Sequence, residues 1–342
     1  MVENSCATGV RVSVIIPTFN RGHLLTQSIE SVLNQQGSFD IEVIVIDDGS
    51  TDNTGQIVQE LDNKRVKYYY QDHHGACVAR NYGLDMATGD YIALQDSDDV
   101  WHEDKLRKQI EKLITMKADI IFCAYNYFDD AENIKARVPD CKHEGFICFD
   151  RIIYSNMMDT ATILGRKQCM KETRFDPSLP RWQDWDYALQ LTRKYSVFYM
   201  PEVLVDAYLQ TDSITKQPGL AVDAACILMK KYREEMFKDD KHLDGILNLL
   251  QMNKNQMLEI ISGQQNQIEK QNNQIHEAHA EIDEKKRILE RLNIRLEREI
   301  ENNKNINRHL QGVIDSKTWK VGRVITYIPR HVHSFLKKQM NE

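Results

Sequence analysis

Several familiar signatures are missing from this 342-residue sequence. No Gly-x-Gly-x-x-Gly follows the first apolar run, and there is no Gly-Lys-Ser/Thr loop. Their absence argues against a dinucleotide dehydrogenase and a P-loop NTPase. The seven cysteines are scattered, with no Cys-x-x-Cys pair. An odd, unpatterned set fits reduced thiols rather than a disulfide framework. No apolar run approaches the ~20 residues of a membrane span. The first nine residues are polar and lack the apolar core of a signal peptide. Positive charge is also short: the formal net charge is -7, which argues against a general nucleic-acid binder. The expectation is a cytoplasmic protein, soluble or peripheral at the inner face of the plasma membrane.

What is present centres on residues 91–101. An apolar run, Tyr91-Ile92-Ala93-Leu94, reads as a buried strand and ends in Gln95-Asp96-Ser97-Asp98-Asp99. Carboxylates this close repel one another, and burial makes that worse. They are tolerated in water, at a helix start, or around a cation. If strand geometry persists, Asp96 and Asp98 point to one side, as two hard oxygen ligands suited to Mg²⁺ or Mn²⁺. The plainer reading is an acidic turn in which Asp99 caps the next helix, with Glu103 and Asp104 in its first turn.

The flanking sequence alternates strand and helix. Residues 10–17 read as a strand ended by Pro17, residues 24–34 as a helix, and the β-branched run 41–46 as a buried parallel strand. A helix through Ile57, Val58 and Leu61, a strand at 66–70 and a helix at 76–86 follow. This alternation predicts a doubly wound, Rossmann-like α/β sheet. In such sheets ligands sit beyond the carboxyl ends of the strands. Three polar clusters fall there: residues 17–21, 47–52 and 96–99. Arg80 is the nearest basic group to the acidic strand end, with a surface arginine as the plainer reading.

Four stretches in order resemble the family 2 glycosyltransferases of GT-A fold. They are Val12-Ser13-Val14-Ile15-Ile16-Pro17-Thr18-Phe19-Asn20, Val45-Ile46-Asp47-Asp48-Gly49-Ser50-Thr51-Asp52, Gly75-Ala76-Cys77-Val78-Ala79-Arg80-Asn81, and residues 89–99. The resemblance runs from about residue 12 to about 213. It implies that Pro17, Phe19 and Arg21 line the base and ribose pocket and that Asp48 accepts a hydrogen bond from the base, uracil by preference. It also implies that Asp96 contacts the ribose or donor sugar, that Arg80 lies near the diphosphate or sugar, and that Asp98 ligates the metal. The divalent cation would offset charge developing on the leaving nucleoside diphosphate.

Further on, Leu179-Pro180-Arg181-Trp182-Gln183-Asp184-Trp185-Asp186 stands at a helix start, where Asp184 suits an N-cap. The resemblance implies instead that an acidic-Asp-Trp stretch here carries the base that deprotonates the acceptor hydroxyl. This chain has Gln183 where many relatives have Glu. Asp184 is then the first choice for the base, Asp186 the second. Trp182 and Trp185 are candidates for an acceptor-sugar platform or for the core. The loop 211–215 lacks the metal-binding His that some relatives place nearby. Residues 119–127 read as a strand and 129–139 as a loop or hairpin; 142–164 carry no clear period.

Composition shifts after residue 216, dividing the chain into a catalytic domain (1–216), a helical extension (217–256), a coiled coil (257–312) and a basic tail (313–342). Ile261, Ile268, Ile275, Ile282, Leu289 and Leu296 recur every seven residues, with Leu310 in phase. The second core position is poor, with Gln264, Gln271, Ala278 and Lys285 before Leu292. The pattern predicts a homo-oligomeric coil; a single solvated helix is the alternative. In the tail, Val321, Val324, Ile325, Ile328, Val332 and Phe335 have helical spacing among Lys and Arg. That suits an anionic membrane surface, or a cap on the catalytic domain. The whole reads as an inverting, metal-dependent enzyme that moves a sugar from a nucleotide-sugar donor to a saccharide acceptor, lipid-linked, in bacterial surface-polysaccharide synthesis. The rival readings are a sugar-nucleotide nucleotidyltransferase and a non-catalytic scaffold retaining the fold.

Overall fold

The computed structural model describes residues 9–128, 133–208, 218–238 and 240–315. The loop 211–215 and the basic tail beyond residue 315 lie outside the described residues. The chain divides into two compact units, Met1–Glu259 and Ile260–Glu342.

The first unit opens with β1 (Val10–Thr18), α1 (Gly22–Leu33), β2 (Phe39–Asp47), α2 (Thr54–Glu60), β3 (Val66–Tyr70), α3 (Ala76–Met86) and β4 (Tyr91–Leu94). There follow β5 (Val100–Trp101), α4 (Lys105–Met116), β6 (Ile120–Phe128), β7 (Ile134–Val138) and β8 (Gly145–Ile147). Next come α5 (Phe149–Tyr154), a 3₁₀ turn at Thr160–Thr162, β9 (Ile163–Arg166), α6 (Lys167–Glu172), α7 (Gln183–Lys194) and β10 (Val197–Tyr208). Helices α8 (Pro218–Lys231) and α9 (Arg233–Met236) follow, and α10 runs Asp240–Asp315. Among the described residues no helix is long and apolar enough to cross a membrane.

The strands form one sheet in the order β3-β2-β1-β4-β9-β6-β10-β5, with β7 on β6 and β8 on β10. The β3-β2-β1-β4 half is parallel, as the alternating pattern predicts. Beyond it the sheet is mixed, because β9 runs antiparallel to both β4 and β6. The chain passes from β1 outward to β2 and β3, then returns to place β4 on the other side of β1. That reversal opens a crevice beyond the carboxyl ends of β1 and β4.

Within the parallel half, β1, β2 and β4 are buried on both faces, which is why they read as near-continuous apolar runs. Val12, Val14 and Ile16 pack with Leu25, Ile29 and Val32 of α1 and Leu106, Ile110 and Leu113 of α4. Ile15 faces the opposite layer, with Cys77, Ala79 and Leu84 of α3 and Trp185 and Leu189 of α7. Gly83 lets α3 approach closely: a Cβ there would lie 2.3 Å from Ile15 Cγ2. Pro17 does not end β1, which pairs through Thr18 with Asp47. The Ile15 carbonyl bonds toward β4, at Gln95 N–H, so two residues on Pro17 also faces that side. Pairing with β4 has ended by then, and the missing N–H forfeits no ladder bond.

Glu42 interrupts the apolar run of β2 and is 1% exposed. Its Oε1 accepts from Ser13 Oγ (2.5 Å), Thr88 N–H (2.8 Å) and Thr88 Oγ1 (2.6 Å), and its Oε2 from Lys67 Nζ (2.7 Å). The carboxylate thus ties β1, β2, β3 and the turn before β4 together. Burial alone would raise its pKa, but the bonds from Lys67, Ser13 and Thr88 outweigh it and pull it down to about 2. A depressed carboxylate pKa stabilises the fold above the ordinary value of 4.5, and the contribution fades as pH falls toward about 2. Glu42→Gln is expected to cost on the order of 2–3 kcal/mol at pH 7. The deficit should shrink on acidification below pH ~4. Urea unfolding at pH 7 and pH 3 checks this; equal wild-type and variant stability at pH 7 would contradict it.

Candidate functional site

The loops that follow β1, β2 and β4, together with the start of α3, enclose a cavity of about 570 Å³. Pro17, Thr18, Phe19 and Arg21 line it from β1, and Asp48 from β2. His73, Gly75, Ala76 and Arg80 line it from β3 and α3, and Asp96, Ser97 and Asp98 from β4, with Gln183 at the start of α7. Three sequence clusters spread over some eighty residues therefore meet at the crevice of the strand-order reversal. Pro17, Phe19, Arg21, Asp48, Arg80, Asp96 and Asp98 are all brought together.

The first two loops are tied to each other. Asn20, in the left-handed region at φ 53°, donates its N–H to Ser50 Oγ (2.8 Å) and accepts from Thr51 N–H (2.7 Å). Asp47 accepts from Ser50 N–H (2.8 Å) and Tyr68 Oη (2.5 Å). Asp48 is buried, and its carboxylate accepts from Gln71 Nε2 (2.6 Å), His74 N–H (2.9 Å) and Gly75 N–H (2.8 Å). The Phe19 ring, 40% exposed, stacks on His73 with centroids 4.2 Å apart. Gly49, at φ 86°, passes so close to His73 that a Cβ would lie 2.8 Å from its backbone nitrogen.

Strand geometry does not persist to Asp98. β4 stops at Leu94, and the chain turns, with Asp99 N–H reaching the Asp96 carbonyl at 3.3 Å. The turn is held inside by Gln95 Nε2 on the Asp99 carbonyl (2.7 Å) and Ser28 Oγ on the Asp96 carbonyl (2.8 Å). Asp96 and Asp98 thus reach the cavity through a turn, not through alternation along a strand. Arg21 Nη1 pairs with Asp98 Oδ2 at 2.6 Å, and Arg80 Nη2 with Asp96 Oδ1 at 2.7 Å. Arg80 also reaches Gln183 Oε1 (3.3 Å), while Thr160 Oγ1 donates to Asp96 Oδ2 (2.8 Å). Asp99 does not cap the next helix; β5 intervenes, and Asp104 precedes α4.

Behind this rim lies a residue the sequence reading missed. Asp159 precedes the 3₁₀ turn and accepts from Ala161 N–H at 2.9 Å. Its carboxylate, with those of Asp96 and Asp99, offers oxygens that all lie within 4.8 Å of one another. Burial, reinforced by Asp96, pushes Asp159 up to about 8, and burial and then Asp98 push Asp99 well above the ordinary carboxylate range. Asp98 is raised as well, by burial, against the pull of Arg21. Residues 142–164 fold as short elements fixed by tertiary contacts, so no period advertised Asp159. The one local signal was Asp159-Thr160-Ala161-Thr162, an Asp two residues before the N–H it caps. His73 carried a topological signal, as it follows the carboxyl end of β3.

Asp184 is not an N-cap. Trp182 holds the cap position in the left-handed region (φ 59°), a strained conformation for a bulky residue, and Asp184 lies in the first turn of α7. Its Oδ2 accepts from Asn156 Nδ2, and burial raises its pKa. Gln183 beside it lines the cavity, and Asp184 interacts electrostatically with Arg80 and Asp96. Asp186 is fully buried and bonded to Tyr232 Oη (2.7 Å), Gln190 Nε2 (2.7 Å) and Lys231 Nζ (2.9 Å). It anchors α8 to α7 and has no opening to the cavity. Trp185, 2% exposed, donates Nε1–H to the Ile152 carbonyl (2.7 Å) and belongs to the core.

Comparison with known proteins places this geometry. Residues 13–170 match the model of the family described as Glycosyl transferase family 2. An uncharacterized glycosyltransferase of Haemophilus influenzae is 34% identical over 184 residues, 53% of this chain and 70% of that protein. A putative teichuronic acid biosynthesis glycosyltransferase, TuaG of Bacillus subtilis, is 29% identical over 60% of this chain and 81% of its own length. An uncharacterized glycosyltransferase of Rickettsia felis is 31% identical over 55% of this chain. The chain spans less than a third of the length of the Rickettsia felis relative (31%) and a quarter of that of one from Rickettsia bellii (25%). Among solved structures, S. aureus TarS 1-349 in complex with UDP-GlcNAc shares the fold with a TM-score of 0.53 and 20% identity, over 71% of this chain and 80% of that one. Mannosyltransferase PcManGT from Pyrobaculum calidifontis in complex with GDP-Man and Mn2+ does so at 0.51 and 18%, over 71% and 69%. Asp184 lies beyond the residues matched by the family model, whereas the acidic turn and Arg80 lie within them. By its matched sequence, and with a GT-A type sheet beneath the site, this chain belongs to the family 2 glycosyltransferases.

Proposed function

We propose that the chain transfers a sugar, with inversion, from a uridine diphosphate sugar to a hydroxyl of a lipid-linked saccharide in surface-polysaccharide synthesis. The observation that carries this is the single cavity in which Phe19, Asp48, Arg80, Asp96 and Asp98 converge. Phe19 offers a ring face for a base and Asp48 a buried acceptor for its N–H. Asp96 and Arg80 would meet the ribose, donor sugar and diphosphate. Two structural neighbours, TarS in complex with UDP-GlcNAc and PcManGT in complex with GDP-Man and Mn2+, support a nucleotide-sugar donor. The description of TuaG supports a polysaccharide product.

The residues suit a divalent cation. Asp96, Asp99 and Asp159 crowd their oxygens together, and burial raises Asp98, Asp99 and Asp159, as expected where carboxylates lack sufficient countercharge. Hard carboxylate donors of this kind fit Mg²⁺ or Mn²⁺. Asp98, which lines the cavity, is the proposed ligand, next in the chain to the clustered oxygens of Asp96, Asp99 and Asp159. When bound, the cation offsets the charge of the departing diphosphate.

Asp184 is the proposed base. Burial makes it a stronger proton acceptor than a solvated carboxylate, and Asn156 fixes its orientation. The acceptor oxygen forms a bond to the anomeric carbon, the bond from that carbon to the phosphate oxygen breaks, and the hydroxyl proton passes to Asp184. Asp184→Asn is expected to lower kcat about 10²- to 10⁴-fold, with donor KM little changed. Asp98→Ala should chiefly weaken donor binding. Because Asp184 must be ionised, wild-type activity should fall with acid, around a midpoint above the ordinary carboxylate value of 3.8. Steady-state release of nucleoside diphosphate checks all three, and an Asp184→Asn variant with unchanged kcat would remove the base from its role.

The remainder of the chain is proposed to set assembly and location. Ile261, Ile268, Ile275, Ile282, Leu289 and Leu296 are exposed at about half or more of their surface along α10, and such a heptad stripe suits burial against a second copy. The basic tail is proposed to hold the protein peripherally on an anionic membrane, at the cytoplasmic face where lipid-linked acceptors are extended. Replacing both Ile275 and Ile282 by Asp should reduce the sedimenting mass to that of one chain, and deleting residues 316–342 should abolish flotation with anionic vesicles. Unchanged mass in the first variant or unchanged flotation in the second would sink the corresponding proposal.

A further inference from the structure

One side chain already fills the place proposed above for the nucleotide base. The Asp48 carboxylate offers roughly four lone-pair directions. Gln71 Nε2 and His74 N–H engage Oδ1, at 2.6 and 2.9 Å, and Gly75 N–H engages Oδ2 at 2.8 Å. His73 Nδ1 covers what is left, lying 2.9 Å from Oδ2 and 3.0 Å from the Asp48 carbonyl oxygen. The same imidazole lies flat on Phe19, with centroids 4.2 Å apart and planes 26° apart. A base that stacks on Phe19 and donates an N–H to Asp48 must therefore displace a donor. The two backbone amides cannot leave, because they lead into α3 through Gly75 at φ 92°. Gln71 does not stack on Phe19. The His73 side chain is 58% exposed, with solvent beside it to turn into, while its backbone lies against Gly49.

We propose that His73 is a stand-in for the base: it occupies both the aromatic face and the acceptor of the base subsite, and it swings out for a nucleotide to enter. The proposal rests on the nucleotide-sugar reading of the cavity. Its consequence is a lowered apparent affinity, since binding is weakened by the fraction of chains in which the subsite is open. A side chain that competes only with the base leaves the diphosphate end untouched.

The test is isothermal titration of the full chain, in Mn²⁺, with uridine diphosphate and separately with inorganic pyrophosphate. His73→Ala is expected to bind uridine diphosphate about threefold to tenfold more tightly than wild type, as when the open state is a minority of roughly 10–30%. Pyrophosphate affinity should not change. Unchanged or weaker uridine diphosphate binding would overturn the proposal, and weaker binding would make His73 a partner of the base instead. An equal gain for pyrophosphate would overturn it too, as a general effect on the site. His73→Ser carries the same expectation and decides the matter if the alanine variant has lost pyrophosphate binding. A wild type that binds pyrophosphate but no uridine diphosphate overturns the nucleotide reading itself, a result distinct from failure of the His73 variants.

Discussion

The structure depends on an electrostatic crowd beyond the carboxyl ends of the central strands. Asp96, Asp98 and Asp99 arrive from β4, Asp159 from the 3₁₀ turn and Asp184 from α7. Two arginines answer two of them: Arg21 holds Asp98 and Arg80 holds Asp96. The others are raised by burial, Asp99 and Asp159 most of all. Gathering like charges in a partly dry site opposes folding, and such sites persist where a ligand or ion completes them. The path of the chain brings this about, since β1 lies between β2 and β4 and its loop meets both of theirs.

Much of the parallel half was legible because β1, β2 and β4 are buried on both faces. Apolar β-branched runs at β1 and β2, with amphipathic helices between, follow from that burial. The cavity residues from those strand ends were legible for the same reason, since topology places every parallel strand end on one rim. Glu42 shows the limit: a carboxylate inside a β-branched run is buried because Ser13, Thr88 and Lys67 meet it from three other segments. No local pattern encodes those partners.

The mixed half was harder to read. β9 is four residues long and takes its direction from β4 and β6, far away in sequence. Asp159 and Asn156 lie just before it, and so two residues of the acidic site were missed. Asp184 was legible as a special position, yet its capping reading failed because Trp182 takes the cap place in a left-handed conformation. Asp186, the second choice for the base, is instead held by Tyr232 and Lys231 as a strut between helices. The long helix α10 was plain in the sequence, since a heptad period is local and needs no distant partner to declare itself.

The central claim is that the rim of β1, β2 and β4 is the nucleotide-sugar site. Crystallography of the protein with uridine diphosphate and Mn²⁺ tests it most directly. The account predicts the base against Phe19 with its N–H on Asp48, and the diphosphate and metal between Asp98 and Arg80. Nucleotide bound elsewhere on the chain, or a metal held away from this acidic rim, would contradict it.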